Sequence, residues 1–335
     1  MKICVVGAGA IGGLLAAKLA QSGNEVTVIA RKAHLLAIRE NGLKLIDEAG
    51  GESAVPLRAT DVIGEAGAQD LVILGMKAHQ VPPIVSQLSS LYHDTTVVMT
   101  AQNGIPWWYF MKQKGPHEGM HLESVDPGGV IARSLPVERV IGSIVYPAAE
   151  VIAPGIIRHI EGNRFSVGEI DDSDTARIRN ISERLREAGF KAPVLSDIRS
   201  EIWTKLWGNL SLNPISALTH ATLADICQFP PTRALLANMM REAQAVAEHL
   251  GIRFKVSLEK RIAGAEAVGQ HKTSMLQDIE AGRPIELEAL VGSVVELGRI
   301  TQIPTPNINA IYAAAALLSH NMQTQKGVLR VQPAA

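Results

Sequence analysis

Three polar side chains recur at four-residue spacing inside an apolar run. They are Lys205, Asn209 and Asn213 in Ile202-Trp203-Thr204-Lys205-Leu206-Trp207-Gly208-Asn209-Leu210-Ser211-Leu212-Asn213. Read as a helix, the run lines them up in one stripe roughly 12 Å long. The projection sets Lys205 between Leu212 and Ile202, and Asn213 between Ile202 and Leu206, so the stripe does not point away from the apolar face. An ammonium and two carboxamides among aliphatic and indole groups cost free energy unless each finds partners. A bound polar ligand would supply them. The competing reading has Lys205 extending to solvent and pairing with Glu201 one turn earlier, while the asparagines cap or turn ahead of Pro214.

A second chemical signal opens the chain. Gly7, Ala8, Gly9, Ala10, Ile11 and Gly12 directly follow the apolar run Ile3-Cys4-Val5-Val6 and lead into a helical pattern kept slim by Gly13, Ala16 and Ala17. In a dinucleotide-binding turn the first Gly permits the tight turn and the second lets backbone approach a pyrophosphate. The third lets helix pack on strand, with the helix N-terminus facing the phosphates. The alternative is a plain strand-to-helix turn. The end of the next strand reads Val28-Ile29-Ala30-Arg31-Lys32, without the acid that would grip ribose hydroxyls. Arg31, assisted by Lys32, suits a 2′-phosphate, so the expected cofactor is NADPH. Both cations also fit a solvated loop.

The elements that must position these residues follow from pattern and bulk composition. With 335 residues, 47% hydrophobic and 19% charged, the chain has room for two globular domains. A formal net charge of −1 gives no electrostatic ground for a nucleic-acid or anionic-membrane partner. Cys4 and Cys227 stand apart from any metal-ligand spacing and read as small core residues of a reducing compartment. Because Met1 leads straight into a strand and no apolar stretch reaches a membrane span, a cytoplasmic location is expected. Strands are expected at residues 3–6, 25–30, 71–74 and 95–100, with helices at 11–21, 33–40 and 81–91, the alternation of a parallel α/β sheet. Further strands at 139–145, 155–161 and 163–167 suggest an antiparallel extension, followed by a helix at 174–188 and a strand at 191–196. Long helical patterns then occupy 198–220, 230–250, 255–268, 272–281, 284–301 and 305–320. The expected domains are therefore 1–196 and 197–335, with a fraying tail from about residue 323.

Taken in order, these motifs resemble the ketopantoate reductase (2-dehydropantoate 2-reductase) family over nearly the whole length. The resemblance rests on the glycine turn with Arg31, Met76-Lys77-Ala78-His79-Gln80, Gln102-Asn103-Gly104, the stripe from Glu201 to Asn209 with Asn213-Pro214, and Thr273-Ser274-Met275-Leu276-Gln277-Asp278-Ile279 followed by Glu286. It implies an α/β protein with an N-terminal Rossmann-type dinucleotide-binding domain, an all-helical C-terminal domain and an active site in the cleft between them. It also implies NADPH-dependent reduction of a small 2-keto acid, ketopantoate to pantoate, as a step of pantothenate biosynthesis. By the same resemblance Lys205 is the general acid, Asn209, Asn213 and Ser274 bind the keto acid, and Asn103 lies beside nicotinamide and substrate. Glu286 touches the substrate hydroxyl or orients the lysine, close to the cofactor. Lys77 and Gln80 fall on the cofactor's ribose and phosphate side, and Ala148 near the nicotinamide.

These roles suit the residue types. Hydride arriving at a 2-keto carbon leaves an alkoxide, and a partly desolvated Lys supplies both charge and proton. Ser274 also fits a helix N-cap, Glu286 also fits a surface pair with Arg283, and Asp278 reads as structural. The segment from Ile105 through Trp107-Trp108-Tyr109-Phe110 to Gly129 departs from the family pattern. Its aromatics suit either the acyl pocket or a packing or dimer patch, and a different keto acid of similar size is compatible with it. His117 and His121 lack a third ligand, so no metal is expected. A homodimer is compatible with the long helical half. Two other functions remain open: an NAD(P)-dependent dehydrogenase of another hydroxy or amino acid, and a non-catalytic dinucleotide sensor.

Overall fold

In a computed structural model that describes residues 1–331, the chain divides into two units. The first comprises Met1–Gln102, Pro106–His121 and Asp126–Ile198. The second comprises Asn103–Ile105, Leu122–Val125 and the chain from Arg199 onward. The C-terminal segment thus begins two residues beyond the expected 196–197 division, and two short pieces of the N-terminal half join it.

The first unit is α/β. Its elements in chain order are β1 (Lys2–Val6), α1 (Ala10–Gln21), β2 (Glu25–Ile29), α2 (Lys32–Asn41), β3 (Leu43–Ile46), β4 (Glu52–Val55), β5 (Arg58–Thr60), β6 (Leu71–Leu74) and β7 (Val97–Thr100). There follow α3 (Val130–Ser134), β8 (Val140–Val145), β9 (Ala148–Ala153), β10 (Ile156–Glu161), β11 (Phe165–Glu169) and α4 (Ala176–Glu187). Seven strands form one sheet in the order β11-β8-β7-β6-β1-β2-β5, parallel except for β11 against β8. Every residue of β6, β7 and β8 is buried, which is why these strands read as unbroken apolar runs rather than alternations. A second sheet, β4-β3-β10-β9, packs on α1: a Cβ on Gly13 would lie 2.7 Å from the Ile157 side chain. Burial pushes the Cys4 thiol up to about 12, the behaviour of an inert core residue.

The second unit is helical: α5 (Ile198–Thr219), α6 (Leu223–Gln228), α7 (Pro230–His249), α8 (Leu258–Ala267), α9 (Ser274–Glu280), α10 (Ser293–Thr301) and α11 (Pro306–Gln325). Starts follow local chemistry. Thr222, Ser257 and Thr273 accept from backbone N–H groups at N3, and proline opens α7 and α11. No helix among the described residues is long and apolar enough to cross a membrane.

Several expectations change. The helix expected at 81–91 is a set of 3-10 turns, because Pro82 and Pro83 withhold two donors and the Ser89 and Ser90 hydroxyls bond back to carbonyls three residues earlier. The strand expected at 191–196 makes only isolated bridges to Arg164 and Val167, interrupted by Pro193. The short strands β3, β4, β5 and β9 were not expected. The helix expected over 284–301 begins with a π-helical turn at Glu288–Gly292, with Pro284 outside it. The tail departs from fraying in that α11 runs to Gln325 and the Arg330 guanidinium donates to the Glu280 carbonyl at 2.8 Å. Residues 332–335 of that tail lie outside the described residues.

The aromatic run is core of the first unit. Trp107, Trp108, Tyr109 and Phe110 are all buried, which favours packing over an exposed dimer patch. The Trp108 indole N–H donates to Thr100 Oγ1 at 3.0 Å, and a Cβ on Gly142 would lie 2.8 Å from its ring. His117 packs tilted against Phe110, and His121 bonds the Asp126 carbonyl. Trp108→Ala is expected to cost about 3–5 kcal/mol of stability, read as a lower urea midpoint. A midpoint near wild type would show that the indole is not a core anchor.

Candidate active site

In the first unit, strand order reverses at β1, with β2 on one side and β6 on the other. Open α/β sheets bind ligands at such a reversal, beyond the carboxyl ends of the strands. The glycine turn leaves β1 at that point. Its Gly7 and Ala8 N–H groups donate to the Ile29 carbonyl at 3.1 and 3.2 Å, tying the turn to the end of β2. Gly7 has φ +99°, and a Cβ there would crowd the Met76 backbone at 3.1 Å. A Cβ on Gly12 would fall 2.0 Å from the Gly7 carbonyl oxygen, whereas the space around Gly9 is open. The N–H groups of Gly9, Ala10, Ile11 and Gly12 precede the first α1 hydrogen bond, Gly13 N to Gly9 O at 2.6 Å. Such donors beside open space suit a phosphate.

Arg31 caps the start of α2, exposed, with no side-chain hydrogen bond or ion pair among the described residues. No acid stands at the end of β2. Lys77 caps a 3-10 turn after β6 that ends at Gln80, whose side-chain oxygen accepts from the Lys77 N–H at 3.1 Å. Ala148 begins β9 and pairs with Glu161. His34 was missed by sequence reasoning. Its Nδ1 accepts from the Gly155 N–H at 2.9 Å, so its Nε2 donates to the Ala8 carbonyl at 2.7 Å, clamping the glycine turn. The only sequence signal was its place three residues after Arg31.

In the second unit, α5 carries the whole stripe. Trp203, Leu206, Trp207 and Leu210 are buried and anchor the helix, and the Trp207 indole N–H donates to the Met240 carbonyl at 2.6 Å. Lys205 does not follow the solvent reading. Its ammonium donates to Asn103 Oδ1 at 2.5 Å. Burial lowers its pKa from 10.5 to about 8, against the raising influence of the Glu286 carboxylate. Asn213 is 5% exposed, and its carboxamide has no hydrogen-bond partner among the described residues. Asn209 is half-buried, and its side chain likewise makes no hydrogen bond within the described residues. Carboxamides left unpaired by the protein on this helix have donors and an acceptor to offer a ligand.

The competing structural readings of two other residues fail. Thr273, not Ser274, caps α9, accepting from Leu276 N at 3.2 Å, and Ser274 is exposed. Arg283 pairs with Asp278 at 2.9 Å rather than with Glu286. The second unit therefore brings together Lys205, Asn103 and Glu286, with Asn209 and Asn213 on the same helix as the lysine. The glycine turn, Arg31, Lys77, Gln80 and Ala148 belong to the first unit.

The model for ketopantoate reductase PanE/ApbA matches residues 3–172, and the model for its C-terminal part matches residues 197–319. The chain belongs to the ketopantoate reductase family. The 2-dehydropantoate 2-reductase of Mesorhizobium japonicum is 55% identical over 320 residues, covering 95% of this chain and 98% of that protein. That of Halobacterium salinarum is 27% identical, covering 93% and 96%. A solved structure from Ralstonia solanacearum MolK2, classed with the ketopantoate reductases, has a TM-score of 0.91 at 38% identity and covers 96% and 98% of the two chains. The family's two-part organisation, an α/β unit followed by a helical one, is the architecture found here.

The lysine titration gives a direct check on the geometry of this family member. Because the Glu286 charge favours the ammonium, Glu286→Gln should move the Lys205 midpoint below about 8. The shift is measurable by NMR of isotopically methylated lysine. A midpoint that stays or rises would show that the carboxylate does not act on the amine.

Proposed function

We propose that this protein is an NADPH-dependent 2-keto acid reductase whose substrate is ketopantoate, with Lys205 as the proton donor. The observation that carries the reading is a lysine amine that burial lowers to about 8, donating to Asn103, on the same helix as the Asn213 carboxamide, which makes no hydrogen bond within the described residues. The 55% identity to a 2-dehydropantoate 2-reductase supports the substrate.

The residues of the first unit fit the cofactor on their chemistry: open backbone donors at Gly9–Gly12 for a pyrophosphate, and an uncommitted Arg31 guanidinium where a 2′-phosphate would extend. Lys77, Gln80 and Ala148 would hold its remaining parts. When bound, NADPH supplies the hydride that reduces the keto carbon.

The chain's own residues do the rest. Asn209, Asn213 and Ser274 bind the keto acid through neutral donors, which adds no charge to perturb the lysine. The Lys205 ammonium holds the carbonyl oxygen. As the C–O π bond opens, Lys205 transfers one proton to the forming alkoxide, giving the 2-hydroxy acid and a neutral amine that solvent reprotonates. Asn103 accepts from the ammonium and fixes its direction. Glu286 favours the protonated form and balances the buried charge.

The test is NADPH oxidation with ketopantoate and a panel of branched and unbranched 2-keto acids, where ketopantoate should give the highest kcat/KM. NADPH binding without turnover on any of them would overturn the reading. Lys205→Ala should lower kcat by roughly 10²–10⁴ while NADPH binding persists. Asn213→Ala should raise KM roughly 10-fold or more. For reduction, the donor must be protonated, so kcat/KM should fall by about tenfold per pH unit above about 8. Arg31→Ala should lower the NADPH-to-NADH preference; an unchanged ratio assigns the phosphate to other groups.

A further inference from the structure

Asn103 sits on a three-residue piece, Asn103–Ile105, that belongs to the helical unit although it follows a strand of the other. What holds that piece is backbone. Gly104 has φ +90°, in the left-handed region that favours glycine. A Cβ on Gly104 would lie 2.2 Å from the Ala289 carbonyl oxygen and 2.5 Å from its carbon, so no side chain fits. The next N–H, that of Ile105, donates to this same Ala289 oxygen at 2.9 Å.

The carbonyl is available because of the π-helical turn. In an α-helix the Ser293 N–H would bond Ala289 O, four residues back. Here the Ser293 N–H reaches Glu288 O, five residues back. The released Ala289 oxygen takes the Ile105 N–H, and the Ser293 hydroxyl donates to it at 2.9 Å. The same segment begins with Glu286, the carboxylate that acts on Lys205. Residues 286–293 thus carry both the charge partner of the lysine and the mount of its hydrogen-bond acceptor.

We propose that the Gly104–Ala289 contact is a positioning device, in which the π-helical turn fixes Asn103 and, through Asn103, the orientation of the Lys205 amine. Gly104, Ile105 N–H and Ala289 O act through Asn103 and touch no reacting atom. The proposal rests on the reductase reading for its kinetic consequences, but its geometric content stands on the lysine alone.

Two variants test it. Gly104→Ala removes the room for the contact. An amide-to-ester replacement at the 104–105 peptide removes only the Ile105 N–H and keeps every side chain, which serves if Gly104→Ala does not fold. With ketopantoate and NADPH, each should lower kcat by on the order of tenfold to a hundredfold, the effect of a misplaced catalytic group. NADPH affinity should stay at the wild-type level. The alkaline limb of kcat/KM should move to lower pH, because an ammonium that loses an acceptor gives up its proton more readily. Combined with Asn103→Ala, neither change should add a further loss, since both act through the same carboxamide. An unmoved alkaline limb, or losses that multiply with Asn103→Ala, would overturn the proposal. If the wild-type protein reduces no 2-keto acid, the reductase reading falls instead. The positioning role is then decided by NMR: a lowered Lys205 midpoint in either variant supports it, and an unchanged one overturns it.

Discussion

The helical unit is organised around one constraint: an amine held where water barely solvates it must keep its charge through a few protein partners. Burial alone would drive Lys205 to the neutral amine. The Asn103 oxygen and the Glu286 carboxylate offset that cost and leave the amine near pH 8, a value matched to giving and regaining a proton. Each partner then needs its own support. The lysine rides on a helix pinned by Trp203, Trp207 and Leu210, and the Trp207 ring also packs tilted against Phe254 with centroids 4.3 Å apart. The asparagine hangs from a carbonyl released by a π-helical turn.

The first unit meets a different constraint, the shape of bare backbone. Its glycine turn offers donors to an anion only if α1 can sit directly on the turn, and the 2.0 Å clearance at Gly12 shows that only hydrogen fits there. The start of the turn is fastened twice: β2 accepts its first two N–H groups, and His34 grips the Ala8 carbonyl while accepting from Gly155. A rigid turn keeps the open N–H groups aimed without reorganisation when an anion binds.

The segment that departs from the family pattern is resolved by the same accounting of polar groups. Its four aromatics fill core, and the buried Asp126 carboxylate accepts the Ile131 and Ala132 N–H groups at 2.7 and 3.0 Å, starting α3. In the helical unit, Glu296 accepts the Glu123 and Ser124 N–H groups, each at 2.8 Å. Neither carboxylate was a candidate in the sequence, because both are common residues whose partners lie at distances no spacing rule covers. Glu296 is the extreme case, more than 170 residues from the backbone it holds.

Period and punctuation made much legible: unbroken apolar runs gave the central parallel strands, long 3.6-residue patterns gave most of the helices, and the glycine turn, Arg31 and the Lys205–Asn213 stripe stood out by residue type. The strands β3, β4, β5 and β9 did not stand out, because they are too short or too exposed to imprint an alternation. The sequence by itself determined which groups can do chemistry, since that depends on side-chain identity and local spacing. Only the tertiary structure decided that Lys205 reaches the Asn103 carboxamide. It also decided that Thr273 rather than Ser274 caps a helix, and that Ala289 offers a carbonyl to Ile105. The lysine and carbonyl outcomes depend on desolvation and on hydrogen bonds between residues about a hundred or more positions apart, and the choice of cap depends on which neighbouring hydroxyl the folded backbone brings to the helix start.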